Sequence, residues 1–223
     1  MINILPGGLG IDAAASTVFS AFNPASLGGA GTATLSNNNR TFTGNIPGNQ
    51  ISTIVGTKKG TQGSNAHWYF EVTNNVLSSS GLQQNIGITG WVTGGAPQPG
   101  VSSNSIAATM EGTPGPGPPF TWSSFNNNVI QFSWTGTAAA GDVIGVAAFF
   151  ATTGQSSVWL RLNGVWLNAG APSTTFNAST PDLVISGVAQ LYPGVSVELG
   201  QVTLNVGNAA FQNPPPTGYV AWG

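Results

Sequence analysis

The sequence predicts an all-β protein, a sandwich or barrel of antiparallel strands. Val, Ile, Thr, Phe and Trp recur in short runs bounded by Gly, Pro, Asn and Ser, which is the pattern of strands and turns. No long segment has the 3.6-residue period of a helix, and 32 glycines and 15 prolines would interrupt helices. Turn signals recur about every 8–12 residues, as in sandwiches and barrels.

The first 20 residues are predicted to form an N-terminal arm or short helix ahead of the sandwich, which spans 21–223. This arm has too little apolar surface to fold alone, so we expect it to anchor the chain to an assembly. The apolar contacts of the anchor are predicted to be Leu5, Leu9, Ile11, Val18 and Phe19.

The first strands can be placed by their alternation. TATLSNNNRTFTG, 32–44, predicts two Thr-rich strands joined by a turn at 37–39, and ISTIVGTKKG adds a short strand. HWYFEVTNN, 67–75, carries aromatic bulk on both faces. It is therefore predicted to be a central strand covered on both sides. NIGITGWV, 85–92, is the next strand.

Residues 94–121 are predicted to be a Gly/Pro-rich insertion between strands, because PGPGPP cannot join a ladder. Long loops on a rigid sandwich often carry binding residues. We predict that Trp91, Phe120 and Trp122 form the aromatic floor of a partner-facing surface. Deletion of 95–118 is then expected to leave the fold intact.

Three more units follow the insertion. NVIQFSWTG, 128–136, is a strand, and GDVIGVAAFFA, 141–151, is apolar on both faces and therefore buried. YPGVSVE and QVTLNVG are predicted to form a hairpin across Leu199-Gly200.

SSVWLRLNGVWLN, 156–168, predicts a hairpin with a type I′ turn at Asn163-Gly164. This turn places Trp166 directly across from Arg161, where indole and guanidinium can stack. The pair is predicted to act first in packing. Arg161 and Trp166 are also the candidate binding residues of this hairpin.

Charged residues make up only 4% of the chain, and the net charge is −2. No basic patch exists to neutralise phosphates, so nucleic-acid binding is not expected. A polar but uncharged surface suits a chain that works inside an assembly or outside the cell. Cysteine is absent, which excludes disulfides and Cys-based metal sites. No cleaved signal is expected, because MINILPGGLGIDAAASTVFSAF lacks a basic segment, contains Asp12 and is broken by Pro6 and three glycines. No membrane insertion is expected, because the longest apolar run is far shorter than the ~20 residues of a span.

The residues that could carry chemistry are few and scattered. The six acids include no E-x-E or D-x-D pair of the kind that glycoside hydrolysis would use. Glu71 is predicted to pair with a backbone donor or a cation, and His67 to sit at the entry of a strand. No catalytic residue, metal ligand or cofactor is expected. A glycoside hydrolase remains only a third alternative.

A series of motifs runs along the chain in the order HWYFEV, IGITG, GDVIGV, VWLRLNGVWLN, LYPGVSV, VTLNVG and PPPTGYVAW. This ordered series resembles the SPRY domain. The upstream AFNPASLGG and TLSNNNRTFTG resemble the leading strands of SPRY-like domains in bacteriophage and prophage structural proteins. The resemblance covers residues 20–222 and implies a concanavalin-like sandwich of two antiparallel sheets, serving as a binding module. AAFFATT stands where the family usually has an acidic segment.

The expected function is therefore that of a non-enzymatic virion protein, either a head decoration or fibre protein or a tail-associated module. Expected partners are other virion proteins through the arm, further copies of the chain in a homo-oligomer, and a host-surface glycan or protein. The alternative is a lectin-like module that binds a glycan or receptor at a tail-fibre tip.

Overall fold

The computed structural model describes residues 20–29, 33–45, 51–77, 84–90, 98–101, 104–111, 121–127, 129–134, 136–167, 170–175 and 179–223. These residues form one 3₁₀ turn, Pro24–Ser26, and sixteen strands, without an α-helix. In chain order the strands are β1 (Thr34–Ser36), β2 (Thr41–Asn45), β3 (Ser52–Val55), β4 (Gly60–Thr61), β5 (Ala66–Val76), β6 (Gln84–Thr89), β7 (Ser105–Glu111), β8 (Thr121–Asn126), β9 (Val129–Ser133), β10 (Val143–Phe150), β11 (Gln155–Leu162), β12 (Val165–Trp166), β13 (Leu183–Ser186), β14 (Gln190–Val197), β15 (Leu199–Asn205) and β16 (Val220–Ala221). The predicted arm, apart from Ser20, lies outside the described residues.

The strands form two sheets. The large sheet has the order β1-β2-β15-β5-β10-β11-β12, with β13 beside β11 and β16 beside β5. The small sheet has the order β3-β14-β6-β7-β8-β9, with β4 beside β14. The pairings are antiparallel except that of β16 with β5. The predicted two-sheet antiparallel sandwich is confirmed.

One hydrophobic core fills the space between the sheets. Phe70 and Val72 of β5 face Ile86 and Ile88 of β6 across it, and all four are fully buried. Burial of each such side chain contributes about 1.5–3 kcal/mol. Tyr69 and Glu71 of β5 are buried on the other face, where the C-terminal segment covers the large sheet. This confirms that β5 is a central strand covered on both sides.

The predicted hairpin across Leu199-Gly200 is wrong. β14 belongs to the small sheet and β15 to the large one, so the chain crosses between sheets at Glu198. Val197 and Val202 face the same core from opposite sides. Two alternating apolar runs joined by a short link fit either arrangement, because alternation reports which face is buried and not which sheet the strand joins.

The predicted insertion at 94–121 contains a strand of the small sheet. β7 lies inside this range and pairs with β6 on one side and β8 on the other. Ile106, Ala108 and Met110 of β7 are fully buried in the core. The prediction that 95–118 can be deleted without loss of the fold is therefore wrong. The Gly- and Pro-rich segments on both sides of SIAATME are typical of loops, so the sequence alone does not distinguish this strand from them.

Both predicted asparagine turns are confirmed. Asn37–Asn39 have φ between 52° and 60° and join β1 to β2. Asn163 and Gly164 have φ of 48° and 87°, as a type I′ turn requires. The turn determines the register of the hairpin, because Arg161 then pairs with Trp166 and Leu162 with Val165.

Replacing Gly164 with valine is expected to lower the free energy of unfolding by at least about 1–2 kcal/mol, because a branched residue is strained at this φ. The added Cβ would also lie 2.8 Å from Oδ1 of Asn213. Gly154→Val measures the backbone strain alone, since its φ is +77° but nothing lies within 4 Å of its Cβ, so it should be destabilised less than Gly164→Val. Urea denaturation measures both. A Gly164→Val protein as stable as wild type would contradict the turn assignment.

Candidate functional site

Arg161 and Trp166, the predicted pair on the hairpin of β11 and β12, lie on the outer face of the large sheet. The guanidinium carbon of Arg161 lies 4.9 Å from the ring centroid of Trp166 and 4.6 Å from that of Tyr69. The predicted stacking of guanidinium on indole is confirmed. Arg161 is only 5% exposed, and Trp166 is half-buried. Arg161 is therefore covered by the protein itself.

Glu71 is the partner that burial of Arg161 requires. One Nη of Arg161 lies 3.6 Å from Oε1 of Glu71, and both side chains are almost completely buried. Glu71 also accepts hydrogen bonds from the Tyr69 hydroxyl at 2.8 Å and from the backbone N–H groups of Gln212 and Asn213 at 2.8 and 2.9 Å. The prediction that Glu71 pairs with backbone donors or a cation is confirmed.

Arg161 binds carbonyl groups of the segment whose N–H groups bind Glu71, residues 212–214. Its guanidinium donates to the Asn213 carbonyl at 2.6 Å, to the Pro214 carbonyl at 2.9 Å and to the Tyr69 hydroxyl. Burial and then the Glu71 carboxylate raise the pKa of Tyr69 well above its ordinary value, so its hydroxyl stays protonated. Glu71, Arg161 and Tyr69 thus form a clamp that fixes residues 212–214 on the sheet.

A second clamp joins the two sheets through Asp142. This carboxylate accepts from Nε1 of Trp122 at 2.7 Å, from the Ala139 N–H at 2.7 Å and from Nδ2 of Asn163 at 2.8 Å. Asn163 in turn accepts from the Val143 N–H at 2.8 Å. The Asn of the type I′ turn therefore has a tertiary role that the local pattern does not reveal.

The predicted aromatic floor is not supported at Trp122. This side chain is 1% exposed and belongs to the core between the sheets. Its position on β8, opposite Met110 of β7, directs it inward. Trp91 and Phe120 lie outside the described residues, as do the anchor residues Leu5, Leu9, Ile11, Val18 and Phe19.

A polar ladder crosses the outer face of the small sheet. Six of its strands each contribute one hydroxyl or amide residue at the same level, in the order Thr53, Ser196, Asn85, Thr109, Ser123 and Ser133. Hydroxyl–hydroxyl bonds of 2.9 and 2.8 Å close the first and last pairs. In the middle, the side-chain oxygens of Asn85 and Thr109 are buried without a hydrogen bond. Sequence reasoning missed this ladder, because its register is set by long-range pairing.

The remaining groups with possible chemistry take part in packing. His67 stacks on Phe149 with centroids 4.2 Å apart, and its Nε2 lies 3.1 Å from the Thr174 carbonyl. Within the described ranges, no three His, Cys, Asp or Glu side chains are grouped so that they could hold a metal ion. A cavity of about 310 Å³ lies where β2, β5 and β15 meet, and the residues that line it are uncharged. None of the helical structure in the described residues is long and apolar enough to cross a membrane.

The carboxyl group of Asp182 is buried beside β11 with only one of its two oxygens hydrogen-bonded. Its Oδ2 accepts from the Leu160 N–H at 2.6 Å, whereas its Oδ1 is buried without a partner. Burial raises the pKa of this carboxyl to about 7, and the Leu160 hydrogen bond opposes that shift. The folded protein therefore holds the Asp182 proton more tightly than the unfolded chain does.

The Asp182 carboxyl is expected to make stability depend on pH. Its stabilising contribution is full below pH 3.8 and is lost as pH rises through about 7. From pH 5 to pH 8 this loss amounts to about 2–3 kcal/mol. Denaturation of wild type and Asp182→Asn at both pH values measures this loss, and the free energy of unfolding of the variant should change less between them. An equal change in the two proteins would contradict the assignment.

The fold is SPRY-like. A human SPRY domain superposes with a TM-score of 0.55 at 16% identity, over 82% of this chain and 99% of that domain. The SPRY domain of human HERC1 superposes with a TM-score of 0.52 at 13% identity, over 85% of this chain and 100% of that one. Peanut lectin is more distant, with a TM-score of 0.44 at 12% identity, over 84% and 93%. No protein-family model and no curated protein sequence matches the chain.

Proposed function

We propose that this chain is a non-enzymatic structural protein of a bacteriophage particle, a head decoration or fibre protein or a tail-associated module, built on a SPRY-like binding domain. The observation that carries the proposal is that half of the charged side chains are buried inside the protein. Five of the ten charged residues are buried, namely Glu71, Asp142, Arg161, Asp182 and Glu198. General acid–base catalysis needs such groups within reach of a substrate.

The surface supports a role in an assembly. In the described part of the chain, the charged residues with exposed or half-exposed side chains are Arg40, Lys58 and Lys59. Contacts made by such a surface depend on shape, apolar burial and neutral hydrogen bonds, and little on charge. In a particle, neighbouring proteins are held together at high local concentration. Contacts that depend little on charge can form under these conditions. The resemblance of the leading strands to those of phage structural proteins supports the same location, the virion.

The arm, residues 1–20, is proposed to attach the domain to other virion proteins and to further copies of the chain. The sandwich would then stand outward, where it can meet a host-surface glycan or protein. The lectin-like alternative draws no support from Trp122, Trp159 and Trp222, which are at most 1% exposed. Stacking on a sugar needs an accessible ring face.

The test is the incorporation of a variant that lacks residues 2–20. In a producing culture that expresses tagged full-length and truncated chains together, purified particles should contain the full-length chain alone. The truncated protein should still melt cooperatively by circular dichroism. Equal incorporation of the two chains would contradict the anchor. Specific binding of the isolated domain on a glycan array, without particle association, would favour the lectin-like alternative.

A further inference from the structure

Asn163 and Gly164 form the one Asn-Gly pair in the chain. Asparagine deamidates fastest before glycine, because no Cβ shields the glycine nitrogen when it attacks the asparagine side chain. Both residues are exposed at the tip of the hairpin of β11 and β12. The pair therefore has the chemistry and the contact with water that deamidation requires.

The fold restrains the Asn163 side chain through both of its polar atoms. Its Oδ1 accepts from the Val143 N–H at 2.8 Å, and its Nδ2 donates to Oδ1 of Asp142 at 2.8 Å. The backbone N–H of Asn163 also donates to the Val143 carbonyl at 2.9 Å. Deamidation removes Nδ2 and needs rotation of the side chain, so these hydrogen bonds must break first. The closed hairpin therefore opposes the reaction.

We propose that Asn163 is a deamidation site, which the closed hairpin protects and which reacts when the hairpin opens. The Gly164 nitrogen then attacks Cγ of Asn163, and the new C–N bond closes a succinimide ring. The bond from Cγ to Nδ2 breaks, and the proton of the Gly164 N–H passes through solvent to the ammonia that leaves. Water finally opens the ring at either carbonyl, which gives aspartate or isoaspartate.

The aspartate product disrupts the second clamp, the set of hydrogen bonds around the Asp142 carboxylate. A carboxylate oxygen then stands where Nδ2 donated, 2.8 Å from Oδ1 of Asp142. Two carboxylates at this distance repel each other unless one of them takes up a proton. Asp142 also accepts from Nε1 of Trp122, a contact that joins the two sheets. The product therefore weakens a contact between the sheets as well as the turn.

The isoaspartate product disrupts the turn itself. It adds one carbon to the backbone of a two-residue turn, whose length sets the pairing of Arg161 with Trp166. Neither product returns to asparagine, so each opening that leads to reaction is recorded permanently in the chain. This inference concerns the isolated protein and does not rest on the role in a particle.

Peptide mapping by mass spectrometry tests the site. The full chain is incubated in mildly alkaline buffer, folded or in urea, and conversion of Asn163 to aspartate and isoaspartate is followed over time. Conversion in urea should be at least about tenfold faster, because the folded hairpin must open before it reacts. In urea, Gly164→Ala should react several times more slowly than wild type, since its Cβ shields the nitrogen. Equal rates in buffer and urea, or an unreacted Asn163 in urea, would overturn the proposal.

An exchange of donor and acceptor tests the effect on the second clamp. Asn163→Asp, which mimics the aspartate product, should melt below Asn163→Gly, the matched control that removes the side chain without adding charge. In Asp142→Asn/Asn163→Asp, the new amide oxygen can still accept from Trp122 and Ala139, and its NH₂ can donate to the new carboxylate.

The double variant should therefore recover at least half of the melting temperature that Asn163→Asp loses, as measured by circular dichroism at neutral pH. Asn163→Asp melting no lower than Asn163→Gly would overturn the proposed effect of the aspartate product. A double variant that recovers nothing would overturn it as well.

Discussion

Replacing Arg161 with methionine is expected to lower the free energy of unfolding by about 3–5 kcal/mol, because it leaves the Glu71 carboxylate buried without its cation. The change also removes the donors that hold the carbonyl groups of Asn213 and Pro214. Unfolding in guanidinium chloride, followed by tryptophan fluorescence, measures the loss.

Lys59→Met is the matched control, since Lys59 is exposed and its replacement should change stability by no more than about 0.5 kcal/mol. The double variant Glu71→Gln/Arg161→Met should lose less than the sum of the two single losses, because the uncompensated charge is gone. Surface substitutions usually change the free energy of unfolding by about ±0.5 kcal/mol. An Arg161→Met protein whose free energy of unfolding lies within about 1 kcal/mol of wild type would therefore contradict the clamp.

Deleting residues 95–118 is expected to abolish cooperative folding. The deletion removes β7, which holds β6 and β8 together and buries Ile106 and Met110. Ile106→Ala alone should lower the free energy of unfolding by about 2–5 kcal/mol. Val129→Ala, an exposed control on β9, should lower it only slightly. Circular dichroism melts of the three variants measure this, and a cooperative melt of the deletion variant would contradict the position of β7.

The hairpin of β11 and β12 could be predicted in detail because the residues that determine it are adjacent in the chain. Asn163-Gly164 selects a two-residue turn, and the turn alone sets Arg161 against Trp166. Likewise, apolar residues on both faces of β10 can only mean a strand buried on both sides. In both cases the residues that carry the signal lie within a few positions of one another.

The rest of the site depends on contacts that are distant in the chain. Glu71 could be predicted to have partners, but Gln212 and Asn213 lie about 140 residues away and carry no local signal. The exposure of β9 was equally invisible, because VIQFS alternates like any strand and only the sheet order makes it an edge. The prediction for Trp122 is wrong for the same reason, because the sequence alone does not reveal β7, the strand that precedes it.

The measurement that tests the proposed function most directly is quantitative mass spectrometry of particles purified by density gradient from a producing culture. The proposal expects peptides of this chain in the particle fraction at a fixed ratio to the major particle protein, and the ratio should persist after further rounds of purification. Absence of the chain from purified particles, with the protein recovered only in the soluble fraction, would contradict the proposal.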